Sequence, residues 1–202
     1  MAYSNGAISQ LTVRFQQSCG ALTDPGLHGY LRWSRDDPTA PPAPGPASDY
    51  AWQPPAGVVP ATGNYLYIAS PPGDMIAGGQ TFLDTEPDYN FLGSANSPLS
   101  VELSVAMPSY AHWWSLMLVG RYNQSALTTG YYPNVLDAPN NNPATGGLDF
   151  SGEGHGCPGG VRSFAVDQIA YDWQGLQSIS VRFEQACGGP SPLHGALRWT
   201  RP

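Results

Sequence analysis

Two stretches at opposite ends of the chain repeat one another. Residues 2–35 contain Leu11-Thr12-Val13-Arg14-Phe15-Gln16-Gln17-Ser18-Cys19-Gly20 and then Leu27-His28-Gly29-Tyr30-Leu31-Arg32-Trp33. Residues 170–201 contain Ile179-Ser180-Val181-Arg182-Phe183-Glu184-Gln185-Ala186-Cys187-Gly188 and then Leu193-His194-Gly195-Ala196-Leu197-Arg198-Trp199. An internal repeat constrains architecture more than any local signal, because both copies must solve the same burial problem. The first copy matches only the last stretch of the unit that ends in the second. The expected organisation is a partial module over 1–37, a Pro-rich linker over 38–61 and a complete module over 62–202, as in a piece of a tandem array.

Each copy reads as a hairpin. Leu11, Val13 and Phe15 alternate with Thr12, Arg14 and Gln16, and Leu31 and Trp33 alternate with Tyr30 and Arg32, the period-two pattern of half-buried strands. A lone two-stranded hairpin is marginal, so the apolar face made of Leu11, Val13, Phe15, Leu31 and Trp33 requires a sheet to lie on. The complete module shows further strand signals at 65–68, 80–83, 99–105, 113–119 and 163–171, with Trp113 to Val119 expected to be covered on both faces and the Gly-rich 146–160 stretch expected as loop. Roughly eight or nine strands at close spacing predict an all-β antiparallel β-sandwich, jelly-roll-like, with the N-terminal hairpin added to it.

Composition agrees with that class. The 202 residues include 24 Gly and 21 Pro, with charged and aromatic residues at 11% each, which favours turns and strands over helix. All eight basic side chains are Arg, a trace of a GC-rich bacterial genome, and the net charge is −7. There is no basic cluster of the kind that nucleic acid or an anionic membrane surface requires. No apolar run approaches the ~20 residues of a membrane helix, and no secretion signal stands at the start. Met1 is read as an added start, with any such signal upstream of it. The prolines of 38–60 predict an extended semi-rigid spacer, and Tyr50 and Trp52 within it suggest that part of it lies on a domain surface.

The three cysteines follow the repeat. Cys19 and Cys187 share one repeat position, whereas Cys157 belongs to the part of the module that the first copy lacks. A Cys157–Cys187 disulfide is therefore expected, with Cys19 separated from its own partner; three reduced, buried thiols are the alternative. No Cys-x-x-Cys or His-x-x-x-His pair suggests a zinc site.

Three motifs carry a resemblance: Tyr65-Leu66-Tyr67 followed by Pro72-Gly73-Asp74-Met75-Ile76-Ala77-Gly78-Gly79-Gln80-Thr81; Gly147-Leu148-Asp149-Phe150-Ser151-Gly152-Glu153-Gly154-His155-Gly156-Cys157; and Arg182-Phe183-Glu184-Gln185-Ala186-Cys187 with Leu193-His194-Gly195. Together they resemble a β-sandwich module of secreted actinobacterial and myxobacterial proteins, over about residues 63–200. The resemblance implies secretion and carries no settled activity, ligand or catalytic residue. Ala186 and His155 stand where that module usually has His and Arg.

Chemistry-bearing residues are sparse. Among Asp74, Glu102, Asp149, Glu153, Asp167 and Glu184, a glycosidase would need two carboxylates about 5 to 9 Å apart; Glu153 and Glu184 are the pair for that alternative. Glu184 is matched by Gln16 in the first copy, so the expectation is instead an ion pair with Arg182 or Arg198. His194 and His28 recur beside a glycine, which favours a turn hydrogen bond. Ser151 lacks the strand-to-helix elbow of a serine hydrolase. Asp74, or Asp149 with Glu153, are candidate calcium ligands, and no other cofactor is indicated. Six Trp and eleven Tyr exceed what one small core requires. Tyr110, His112, Trp114, Tyr122, Tyr131 and Tyr132 are the candidate exposed aromatic patch, a platform for a glycan, with closure of the sandwich ends as the alternative. The expected function is a non-enzymatic secreted interaction or structural module that associates through its hairpins, with itself or neighbouring modules as partner; carbohydrate binding is the alternative.

Overall fold

A computed structural model describes residues 1–4, 6–17, 26–35, 44–46, 51–157, 159–187 and 191–202. The chain forms two compact units, Met1–Ala40 and Pro41–Pro202. All regular structure among the described residues is β-strand.

The first unit is a single three-stranded antiparallel sheet, ordered β1 (Ala2–Ser4), β2 (Ala7–Gln17), β3 (Leu27–Ser34). The second holds β4 (Tyr65–Ala69), β5 (Thr81–Thr85), β6 (Asn90–Ser97), β7 (Ser100–Ala106), β8 (Trp113–Val119), β9 (Gly130–Asp137), β10 (Gly147–Gly152), β11 (Arg162–Asp172), β12 (Gly175–Gln185) and β13 (Leu193–Thr200). These ten join in the order β5-β4-β13-β12-β11-β9-β10-β8-β7-β6. Every pairing is antiparallel except that of β9 with β10, which makes the sheet mixed. The sheet curls so that its two halves face each other, a sandwich-like arrangement in which β9 links the layers.

Side chains from both halves build one core. Trp199 of β13 lies flat over Gly93 of β6, and its Nε1 donates to the Phe91 carbonyl at 3.3 Å. Phe183 of β12 meets Phe150 of β10 with ring centroids 4.9 Å apart. Beside them the buried Gln185 side chain takes the place of a strand neighbour: its Nε2 donates to the Phe150 carbonyl at 2.7 Å and its Oε1 accepts from the Phe150 N–H at 3.0 Å. Such pairing removes the penalty of burying an amide.

Two expectations are corrected. The 146–160 stretch is not all loop, since its first residues form β10, paired with β8 from Gly147↔Val119 to Gly152↔Trp114. The two glycines within β10 serve close approach rather than turning: a Cβ on Gly152 would lie 2.2 Å from the Trp114 ring, and one on Gly147 would lie 2.7 Å from the Asn141 side chain. Nor is β8 covered on both faces. Trp114, Leu116 and Leu118 are buried, while Trp113, Ser115, Met117 and Val119 are only partly covered.

The expected disulfide is present. Cys157 and Cys187 are bonded, with Cα atoms 5.3 Å apart, and tie the segment after β10 to the end of β12. Cys19 lies outside the described residues.

Candidate functional site

The repeat is structural as well as sequential. In β2–β3 the partners are Leu11↔Trp33, Val13↔Leu31, Phe15↔Gly29 and Gln16↔His28; in β12–β13 they are Ile179↔Trp199, Val181↔Leu197, Phe183↔Gly195 and Glu184↔His194. Even the strand before matches. β1 meets β2 through Tyr3↔Ile8 with an irregularity after Ala2, and β11 meets β12 through Tyr171↔Leu176 with one after Ala170.

The two copies differ in what their apolar faces touch. Val181, Phe183 and Leu197 are each 1% exposed and Trp199 is 3%, whereas Val13, Phe15, Leu31 and Trp33 are 37%, 48%, 47% and 43% exposed. The same side chains in the same register are thus core in one copy and surface in the other, with Leu11 intermediate. Among the described residues, the first unit has no second layer for that face to pack on.

The polar faces diverge too. In the second unit, Arg182 clamps Asp167 through Nε to Oδ2 at 2.7 Å and Nη2 to Oδ1 at 2.6 Å, and its Nη1 donates to the carbonyls of Ala51 and Trp52. Trp52 stacks on His194 at 4.8 Å and lies parallel to Tyr67 at 6.2 Å. Arg198 covers the Tyr65 ring at 4.9 Å and donates to the carbonyls of Pro60, Ala61 and Gly63. Residues 51–63 are therefore a strap laid across the outer face, held mainly by guanidinium bonds to its main chain. Tyr50 lies outside the described residues. Ala196, 1% exposed beneath this strap, becomes Tyr30 in the first copy, where Arg14 stands over the ring at 6.0 Å.

Glu184 does not pair with Arg182 or Arg198 as expected. It accepts from Ser163 Oγ at 3.0 Å and faces His194 Nδ1 at 3.1 Å. The His194 hydrogen bond, opposed by burial and aided by Ser163, holds its carboxyl below the ordinary value. His194 thus pairs across strands rather than closing a turn. Glu153, its proposed hydrolytic partner, belongs to another network, accepting from the Trp113 N–H at 2.8 Å beside His112 at 3.4 Å.

The aromatic patch divides. Trp114 is 1% exposed, sits between Phe82 and Phe150, and donates Nε1 to Asp84 Oδ2 at 2.9 Å. Tyr132 is fully buried, stacked on Phe164 at 4.4 Å. Both are core residues: of the adjacent Trp113 and Trp114, strand parity sends one inward, and it is Trp114. Tyr110, Tyr122 and His112 are exposed, and Tyr131 is half-buried, its N–H bonded to the Gly45 carbonyl. Asp84 beneath Trp114 went unnoticed in the sequence; burial raises its carboxyl against the hydrogen bonds from Trp114 and Tyr89. Trp173, at the tip of the β11–β12 turn and 88% exposed, was also missed because a turn has no periodicity to read.

The calcium candidates are engaged separately. Asp74 accepts from Ser70 Oγ and from the Ala77 N–H, both at 2.8 Å, and so braces its own loop. Burial, followed by the neighbouring Asp137, raises the Asp149 carboxyl. Nearby, the buried Arg162 bridges Asp137 at 2.9 Å, the Gln185 amide and the Cys157 carbonyl. Among the described residues no three His, Cys, Asp or Glu side chains gather as a metal-holding group.

Comparison of the chain with family models, curated proteins and solved structures yields no match.

Proposed function

We propose that this chain is a non-enzymatic extracellular module whose N-terminal hairpin associates with another sheet, in a second copy of the chain or in a neighbouring module of a tandem bacterial protein. One observation carries the reading: two hairpins of identical register bury the same face in one case and leave it exposed in the other. In the C-terminal copy that face takes the facing strands β6 and β10 as its partner, with a glycine under the indole and an aromatic ring against the phenylalanine. A partner for Leu11, Val13, Phe15, Leu31 and Trp33 would supply the same features. Exposed apolar faces and open strand edges favour such association.

Secretion is supported by the disulfide, a bond that persists in oxidising compartments. No helix is long and apolar enough to cross a membrane among the described residues. The non-enzymatic reading is supported by Glu184 and Glu153, each engaged in its own local hydrogen bonds. Light scattering of the full chain tests the proposal. The expected result is a mass that rises with concentration and stays monomeric in Phe15→Asp. A full chain that is monomeric at every concentration, with the β2 and β3 amides exchanging as fast as free peptide, would overturn it.

A further inference from the structure

The repeat supplies an internal control for one residue. In the first copy, Ser4↔Ala7 and Tyr3↔Ile8 close a hairpin whose equivalents are Asp172↔Gly175 and Tyr171↔Leu176, and Asn5 occupies the sequence position of Trp173. The same hairpin thus forms in the same register without a tryptophan. At 88% exposure Trp173 contributes little to the core of its own unit. An indole held in water keeps a flat apolar face and an N–H donor open to a ligand.

The turn that carries it is held rigidly. Arg201 Nη1 donates to Asp172 Oδ1 at 3.0 Å, to Asp172 Oδ2 at 2.9 Å and to Gln174 Oε1 at 2.8 Å, and the Gln174 N–H donates to Asp172 Oδ1 at 2.8 Å. Arg201 also bonds the Leu176 carbonyl on the next strand. The residues on either side of Trp173 and Gln174, Asp172 and Gly175, line an open cleft of about 540 Å³ together with Tyr171, Ala95, Asn96 and Ser97, and Trp173 itself stands outside that lining. The Tyr171 hydroxyl donates to the Leu127 carbonyl at 3.2 Å, which fixes that ring as a wall. Asp172, the one acidic or basic side chain lining the cleft among the described residues, is already neutralised by Arg201.

We propose that this turn and cleft bind a neutral oligosaccharide, with Trp173 as the stacking platform. Three properties point to that ligand class. A pyranose ring presents a flat C–H face that packs on an indole, and its hydroxyls suit the Ser97 hydroxyl and the amide oxygen of Asn96, whose Nδ2 is held by Glu102 at 3.0 Å. The volume lies in the range of small-ligand sites, which are mostly apolar with a few placed polar groups. With Asp172 and Arg201 paired to each other, the site offers no free counter-charge to an anionic glycan or a phosphate. Preorganisation by Arg201 lowers the ordering cost of binding. No residue of this site belongs to the hairpin face proposed for association, so glycan binding does not depend on that association.

The test titrates the full chain with cellohexaose, xylohexaose, chitohexaose and laminarihexaose, read by calorimetry and tryptophan fluorescence. The expected result is binding of at least one of these glycans, weakened at least about tenfold by Trp173→Ala, retained in large part by Trp173→Tyr and unchanged by Phe15→Asp. Unaltered melting temperature in Trp173→Ala would show that the loss is not one of folding. Absence of binding by every glycan, or equal affinity of Trp173→Ala and the parent chain, would overturn the proposal. So would a Trp173-dependent dimer without glycan binding, which would assign the turn to contact between copies.

Discussion

Phe183 closes over Gly195, its partner across the β12–β13 ladder, so tightly that a Cβ on the glycine would lie 2.1 Å from the ring; Phe15 covers Gly29 in the same way, at 2.0 Å. The pair locks register, because a slip by one residue would put a side chain where the ring lies and send every apolar side chain to the other face. The surroundings of the two rings differ, and with them the cost of disturbance. Phe183 is confined by Phe150 in the core, whereas Phe15 is 48% exposed.

Gly195→Ala is therefore expected to destabilise the second unit by about 1 to 3 kcal/mol, the range for overpacking a filled core. Gly29→Ala, where the ring has room to swing away, should cost less than about 1 kcal/mol. Phe183→Ala should cost about 3 to 5 kcal/mol. Urea unfolding of each variant checks the contrast, and equal costs at Gly195 and Gly29 would refute the difference in burial.

The disulfide joins residues 30 apart, and a loop of that length is expected to add about 3 to 4 kcal/mol in the chain-entropy account. Non-reducing peptide mapping should recover a Cys157–Cys187 link, and reduction should lower the melting temperature. A Cys19–Cys187 link would contradict the assignment.

Acid should weaken the second unit through Glu184. Its carboxyl is held below the ordinary 4.5 by His194 and Ser163. A lowered folded-state value means that its stabilisation is complete above the unfolded value and is lost as pH falls through the folded one. Glu184→Gln, which installs the residue of the first copy, should flatten the stability profile below about pH 4.5 while leaving the fold intact. Denaturation midpoints measured across that window decide the point, and an unchanged acid slope would count against it.

The strap depends on guanidinium groups. Arg182→Ala removes the clamp on Asp167 and the bonds to the carbonyls of Ala51 and Trp52. It should cost about 3 kcal/mol, since it strands a partly buried carboxylate. Limited proteolysis should then cut within 51–63 faster than in the parent chain. Cleavage at the parental rate would mean that the strap is held by Arg198 and Trp52 alone.

Much of this was legible in the residues themselves. Alternation at Ile179, Val181 and Phe183 marks one face of a strand because consecutive side chains point to opposite sides, and matching repeat positions singled out Cys157 and Cys187 as partners. Other features could not be read that way. Parity separates Trp113 from Trp114 without saying which is inside; the glycines of β10 look like turn residues until Trp114 and Asn141 are seen to press against them. Arg182 finds the Ala51 and Trp52 carbonyls about 130 residues away in sequence, a distance at which local pattern carries no information. The plainest case is Val13 and Val181, identical residues at one repeat position and one register, 37% and 1% exposed. That each strand has an apolar face follows from residues two apart and is written in the alternation itself. Burial of that face requires an opposing layer, and among the described residues the second unit alone folds one over its own hairpin, which no local pattern can encode.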